Sequence, residues 1–190
     1  VVVDNQSRME LNKHFTYSLA KGQKSKVVFS RRTSEGDLVE LAEVIYNPRE
    51  VLGKSSTETS IDHTYSFTVP QKPDIVLQLT RRDVENGFKL TYLFDAKYRI
   101  GDTDIDGVDV PPDDAINQIH RYRDSLYYDP KQEGLPIKKE VLGGYILFPG
   151  NGKDEDVENA NFYRSIEKVN IGAFPLRPNN EGSAHLLERF

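Results

Sequence analysis

Lys72-Pro73-Asp74-Ile75-Val76-Leu77, answered by Tyr92-Leu93-Phe94-Asp95-Ala96-Lys97, sets two carboxylates and a lysine on two apolar, strand-like runs. A carboxylate inside an apolar run is costly to bury unless a positive group compensates it. Two such carboxylates, with a lysine just beyond the second, invite a divalent cation. Strand alternation puts Asp95 and Lys97 on one face, roughly 6–7 Å apart, with Ala96 on the other face beside Phe94 and Tyr98. Asp74 opens the earlier run, whose β-branched and aliphatic residues 75–79 continue it. The turn-like residues 82–87 predict a hairpin, and its register sets Asp74 near-opposite Asp95.

That wiring is the one a metal-dependent phosphodiesterase needs. A cation held by two carboxylates can take a non-bridging phosphate oxygen and a water, lowering the water's pKa. Lys97 can position or deprotonate that water and offset charge in the transition state. Downstream, residues 112–127 predict a helix, with Pro112, Asp113 and Asp114 at its start, where proline is tolerated and negative charge suits the helix dipole. Ile116, Ile119 and Leu126 supply its apolar stripe. Gln118 and Tyr122 lie one turn apart on one face, where an amide and a phenol can reach the same neighbour.

Taken in order, Pro73-Asp74, then Asp95-Ala96-Lys97, then Gln118-Ile119-His120-Arg121-Tyr122 resemble the PD-(D/E)xK nuclease superfamily, including the QxxxY element of some of its branches. More narrowly, Phe94-Asp95-Ala96-Lys97-Tyr98-Arg99 and the helix around Gln118 resemble the nuclease subunit of modification-dependent, McrBC-type restriction systems. The likeness extends over residues 65–180, with residues 144–149 and 171–178 resembling that family's closing segments; residues 1–60 match little. The resemblance implies an α/β, restriction-endonuclease-like core, a central mixed β-sheet flanked by helices, forming a single nuclease domain over residues 1–190. It implies Mg²⁺, with Mn²⁺ substituting, at Asp74, Asp95 and Ala96, and Lys97 beside the attacking water. Gln118 and Tyr122 then orient the lysine or contact the DNA backbone. A further acidic ligand is common in the family; Glu10, Glu40 and Glu43 are candidates, and none matches a motif. The implied partners are DNA and a nucleotide-hydrolysing subunit of the GTPase-type AAA+ class, with dimerisation one route to cutting both strands.

Other features bound this reading. At 190 residues one well-packed α/β domain is accommodated and a second independent core would be cramped. The absence of cysteine removes disulfides, thiolate metal sites and cysteine nucleophiles together, and suits a reducing cytoplasm. No apolar run reaches membrane-spanning length, so a soluble protein is expected. No Walker-type glycine loop occurs, which leaves any nucleotide hydrolysis to a partner. The four dispersed histidines, at positions 14, 63, 120 and 185, suggest no zinc cluster.

The net charge of −5 is low for a protein that binds a phosphate backbone. Acidic residues concentrate at 102–114 and 153–158, however, while cations gather at Lys21, Lys24, Lys26, Arg31 and Arg32, at Arg81 and Arg82, and at Arg121 and Arg123. Clusters of this kind can line a groove. Weak intrinsic DNA affinity, supplemented by a partner that supplies recognition, reconciles the two. Asp102-Thr103-Asp104-Ile105-Asp106-Gly107 copies the first half of a calcium-binding EF-hand loop, but its second half fails at Asp109 and at the two following prolines. A solvated acidic loop is the expectation there.

The remaining chain predicts strands at 26–31 and 37–47, a Ser/Thr-rich loop at 47–62 and a strand at 141–148 whose Gly143 and Gly144 permit close backbone approach. It further predicts a charged loop at 149–161, a closing strand at 166–174 and a short helix at 181–189. A non-catalytic docking module that retained the fold is the rival reading; the intact Asp74, Asp95 and Lys97 argue against it, because such a charge cluster is costly to keep.

Overall fold

The computed structural model describes residues 2–5, 7, 9–11, 17–19, 25–46, 64–81, 88–102, 104–105, 107–129, 134, 136–176 and 186–187. In chain order its elements are β1 (Val2–Asn5), β2 (Met9–Leu11), β3 (Tyr17–Leu19), β4 (Lys26–Arg32), β5 (Leu38–Tyr46), β6 (Thr64–Ser66), β7 (Ile75–Arg81) and β8 (Phe88–Ala96). There follow β9 (Asp104–Ile105), β10 (Val108–Asp109), α1 (Asp113–Ser125), β11 (Leu126–Tyr128), β12 (Val141–Phe148), α2 (Asp154–Asn159), α3 (Asn161–Val169) and β13 (Ile171–Pro175). Seven strands form one mixed sheet in the order β1-β4-β5-β7-β8-β12-β13. With its helices this is the expected restriction-endonuclease-like α/β fold.

The chain falls into two compact units, one of Val1–Tyr92 with Ser125–Leu142 and one of Leu93–Asp124 with Gly143–Phe190. In the first, β1, β4, β5 and β7 are antiparallel neighbours, and the alternation of each strand sorts its side chains. Val28, Glu43 and Gln78 stand opposite one another across β4, β5 and β7. This register gives the cations of β4 carboxylate partners: Lys26 pairs with Glu43 at 2.6 Å and Arg31 with Glu40 at 2.8 Å. Arg81 on β7 also reaches Glu40, at 3.6 Å. Lys26 and Arg31 of one expected basic cluster and Arg81 of another are therefore largely neutralised in place, because cross-strand neighbours of opposite sign meet there. Lys21, Lys24 and Arg82 lie outside the described residues, as do the 82–87 turn, the 47–62 loop and most of the predicted 181–189 helix.

The second unit is built on the parallel pair β12 and β13, in which Gly144 to Phe148 register with Ile171 to Pro175. Both faces of these strands are covered, and Tyr145, Ile146, Phe148, Ile171, Ala173 and Phe174 are all essentially removed from solvent. Phe94, Tyr145, Phe174 and Tyr163 form a run of ring contacts at 5.3, 5.5 and 6.0 Å between centroids. Such contacts add to the burial term rather than replace it.

Two expectations are corrected here. The segment expected as a charged loop carries α2 and the start of α3, and α3 occupies residues 161–169, where a strand was expected to begin at 166. Phe162, Ile166 and Val169 recur at helical spacing, a period masked by the β-branched Ile166, Val169 and Ile171. Asn170 ends the helix in the left-handed conformation (φ 54°), its N–H bonded to the Ile166 carbonyl, so the strand starts only at Ile171. The acidic loop is likewise not simply solvated. β9 and β10 form a small antiparallel pair, with Gly107 at φ 80° taking the turn. Asp109 donates its N–H to the Asn151 carbonyl (2.8 Å) and accepts the Asn151 N–H on its carboxylate (2.6 Å), which pins the hairpin to the segment after β12.

Candidate active site

The site begins where β8 runs out. Leu93, Phe94 and Asp95 are all buried, so the strand delivers a carboxylate of 2% exposure to the end of an apolar run. The strand proper stops at Ala96, yet the Lys97 N–H still bonds the Leu147 carbonyl on β12 at 2.8 Å. That bond extends the alternation by one residue and keeps Lys97 on the Asp95 face. Tyr98, expected beside Phe94 on the opposite face, is instead 97% exposed, because nothing pairs with the backbone there as a strand.

Lys97 Nζ makes an ion pair with Asp95 Oδ2 and donates to Gln118 Oε1 at 3.1 Å. Gln118 in turn donates from Nε2 to the Tyr122 hydroxyl oxygen. Asp95, Lys97, Gln118 and Tyr122 therefore form one connected polar chain. Each link has a direction: the ammonium can only donate, so the amide must turn its oxygen to Lys97, and its NH₂ is left for Tyr122. Removing one member of so buried a pair as Asp95 and Lys97 typically costs about 3–5 kcal/mol, because the other charge is left uncompensated.

Helix α1 is seated so that Gln118 meets Lys97. Ala115, Ile119 and Tyr122 are its buried residues, and they recur at helical spacing. Ile119 lies directly on β12 at Gly144: a Cβ built there would sit 2.5 Å from Ile119 Cγ2, closer than side-chain carbons pack. The glycine thus lets the helix approach the strand, as its place in the sequence predicted. Arg123 fastens the end of the helix, its guanidinium donating to the Val169 carbonyl at 2.8 Å.

One pair went unnoticed in the sequence. Arg99 Nη2 donates to both carboxylate oxygens of Asp114, each at 2.7 Å. The hydrogen bond from Arg99 is the first cause that holds the Asp114 carboxyl below its usual range; desolvation opposes it, and the charges of Arg99 and, last, Lys97 add to it. The signal was present in the spacing, for Arg99 follows Lys97 by two residues and Asp114 precedes Gln118 by one helical turn.

The other expected site residues stand as follows. Asp74 is half-buried immediately before β7 in the first unit, behind a buried Pro73, and Ala96 is the half-buried last residue of β8. Of the candidate further acids, Glu40 and Glu43 are engaged by the arginines and the lysine of the first unit. Glu10 is on β2 opposite Ser18, and its side chain lies outside the described residues. Among the described residues no group of three or more His, Cys, Asp or Glu side chains is gathered to hold a metal ion. No described helix is long and apolar enough to cross a membrane.

Neither a curated protein nor a solved structure matches the chain. The family model of the PD-(D/E)XK nuclease superfamily does, over residues 2–153, a span that holds Asp74, Asp95, Lys97, Gln118 and Tyr122 together. By that match, on the fold and the buried Asp95–Lys97 pair already described, the chain belongs to the PD-(D/E)XK nuclease superfamily.

Proposed function

We propose that the chain is a Mg²⁺-dependent DNA endonuclease domain, the cleaving part of a restriction system driven by a nucleotide-hydrolysing partner of the GTPase-type AAA+ class. The observation that carries it is the polar chain from Asp95 through Lys97 and Gln118 to Tyr122, a costly construction with no evident value to stability alone. The donors suit a hard divalent ion. Mg²⁺ is commonly held by one or two carboxylates and retains several waters, so a site with few protein ligands fits it. Asp95 and the Ala96 carbonyl would hold the ion, with Asp74 assigned on its motif position in the sequence. Bound there, the ion would stabilise charge on the phosphate and lower the pKa of a water.

The protein's own share is positioning. Lys97 Nζ, fixed between Asp95 and Gln118, presents its remaining proton to the reacting phosphate and offsets developing negative charge; one such preorganised donor is worth about 10²–10³ in rate. Gln118 gives the ammonium a second acceptor beside Asp95, and Tyr122 holds the amide in the orientation that accepts from it. Two copies of the domain, or two successive events, would serve double-strand cleavage. The net charge of −5 fits a subunit that relies on its partner for recognition.

The test is plasmid nicking with Mg²⁺ or Mn²⁺ and the nucleotide-hydrolysing partner. Asp95→Ala and Lys97→Ala should each abolish cutting, as should Asp74→Ala. Wild-type-like cutting by Asp95→Ala refutes the assignment.

A further inference from the structure

Two rungs, not one, connect the end of β8 to helix α1. The first is Lys97 to Gln118, which belongs to the polar chain above. The second is Arg99 to Asp114, one turn nearer the start of the helix and two residues further along the chain. On the helix the rungs are set apart by one turn, about 5.4 Å, while on the other side the chain bends at Tyr98 and Arg99 after β8. That turn falls between the axial spans of one and of two nucleotides of one DNA strand, at roughly 3.4 Å each.

Stability does not account for the outer rung. The Arg99 and Asp114 side chains are 57% and 70% exposed, and ion pairs that open to solvent contribute little to stability. Its geometry is also incomplete as a salt bridge. A guanidinium matches a carboxylate best with two nitrogens, fork to fork. Here both carboxylate oxygens share Nη2 alone, and no hydrogen bond from Nε or Nη1 to a described residue occurs. Asp114 thus holds the guanidinium by one corner beside the lysine and leaves its other donors directed elsewhere. Three N–H groups of fixed geometry on a permanent cation, two residues from the proposed catalytic lysine, form a receptor for a phosphate diester.

We propose that Arg99 binds a backbone phosphate of the DNA substrate one or two nucleotides from the scissile bond, with Asp114 orienting its guanidinium. The assignment rests on the nuclease reading and names a contact of that same site. It is a sequence-independent contact, since a phosphate carries no base information. In a chain of net charge −5, each such cation weighs heavily in the salt dependence of binding.

The experiment measures binding of a fluorescein-labelled 30-base-pair duplex by anisotropy, without divalent cation, between 50 and 200 mM salt. It is paired with Mg²⁺-supported cleavage by the chain with its partner. Arg99→Gln should weaken binding for every duplex sequence alike and flatten the slope of log K against log salt by about 0.9. The ratio of wild-type to variant affinity should accordingly shrink by about 3.5-fold across that salt range. KM should rise in parallel, and Arg99→Lys should restore the slope while recovering only part of the affinity. Unchanged affinity and slope in Arg99→Gln, or a loss confined to kcat, overturns the phosphate contact even if the wild type cuts DNA. Failure of the wild type to cut, with the slope change present, removes the nuclease reading and leaves the contact standing.

Discussion

Gly144→Ala should misplace the polar chain without touching any member of it. The new Cβ would stand 2.5 Å from Ile119 Cγ2, against the 3.4 Å or more of an ordinary contact, so helix and strand must part by about 1 Å. Overpacking of this kind costs about 1–3 kcal/mol, and replacing glycine by alanine returns about 0.4–1 kcal/mol through the unfolded chain. The net is a loss of up to about 2.6 kcal/mol, or up to roughly 5–10 °C in Tm for a protein of this size. Activity should suffer more than stability, because Gln118 is the residue before Ile119, and a displacement near 1 Å at a catalytic group can cost about 10²-fold in rate. The assay is thermal unfolding beside Mg²⁺-dependent cleavage, for Gly144→Ala, Ile119→Leu and the double variant. Ile119→Leu keeps the side-chain volume and removes the methyl that clashes, so the double variant should recover stability with a coupling of about 0.5–3 kcal/mol. Full stability and activity in Gly144→Ala, or strictly additive effects in the double variant, would refute this account of how the helix is seated.

Three further outcomes are expected. Tyr122→Phe removes the acceptor for the Gln118 amide; cleavage should fall about tenfold or more, while unfolding free energy drops by about 1–3 kcal/mol, the cost of an unmet polar group, as read by urea titration. Mg²⁺ should raise the Tm of the wild type by mass action and leave that of Asp95→Asn unmoved; equal shifts in both would place the ion elsewhere. The Asp114 carboxyl is held below its usual range, so the ion pair with Arg99 stabilises the fold above the unfolded-state pKa, near 4, and this is lost as pH falls through the lower folded-state value. Because the pair is open to solvent, the Tm difference between wild type and Asp114→Asn should be small at neutral pH and vanish in acid.

The strands around Asp74 and Asp95, the helix bearing Gln118 and Tyr122 and the buried run at 141–148 were all legible in the chain, because each carries its own period and boundary residues. Local pattern failed at residues 161–169. There the segment became helix because Phe162 and Ile166 find the second unit's core at helical spacing, and the strand begins only after the left-handed Asn170. It failed again at the acidic loop, where the decisive contact joins Asp109 to Asn151, far along the sequence.

By itself the sequence determined which side chains are available for chemistry and which face each presents: Asp95 and Lys97 on one side of a strand, Gln118 and Tyr122 on one side of a helix. Those relations follow from backbone geometry, which fixes the periods of strand and helix whatever the surroundings. Only the tertiary structure decided that the two faces meet, because the approach of α1 to β12 depends on Ile119 seating over Gly144. It alone also revealed the second rung, Arg99 to Asp114, and the pairing of Lys26 with Glu43 and of Arg31 with Glu40. Such contacts arise from packing and register between segments distant in sequence, and no local period encodes them.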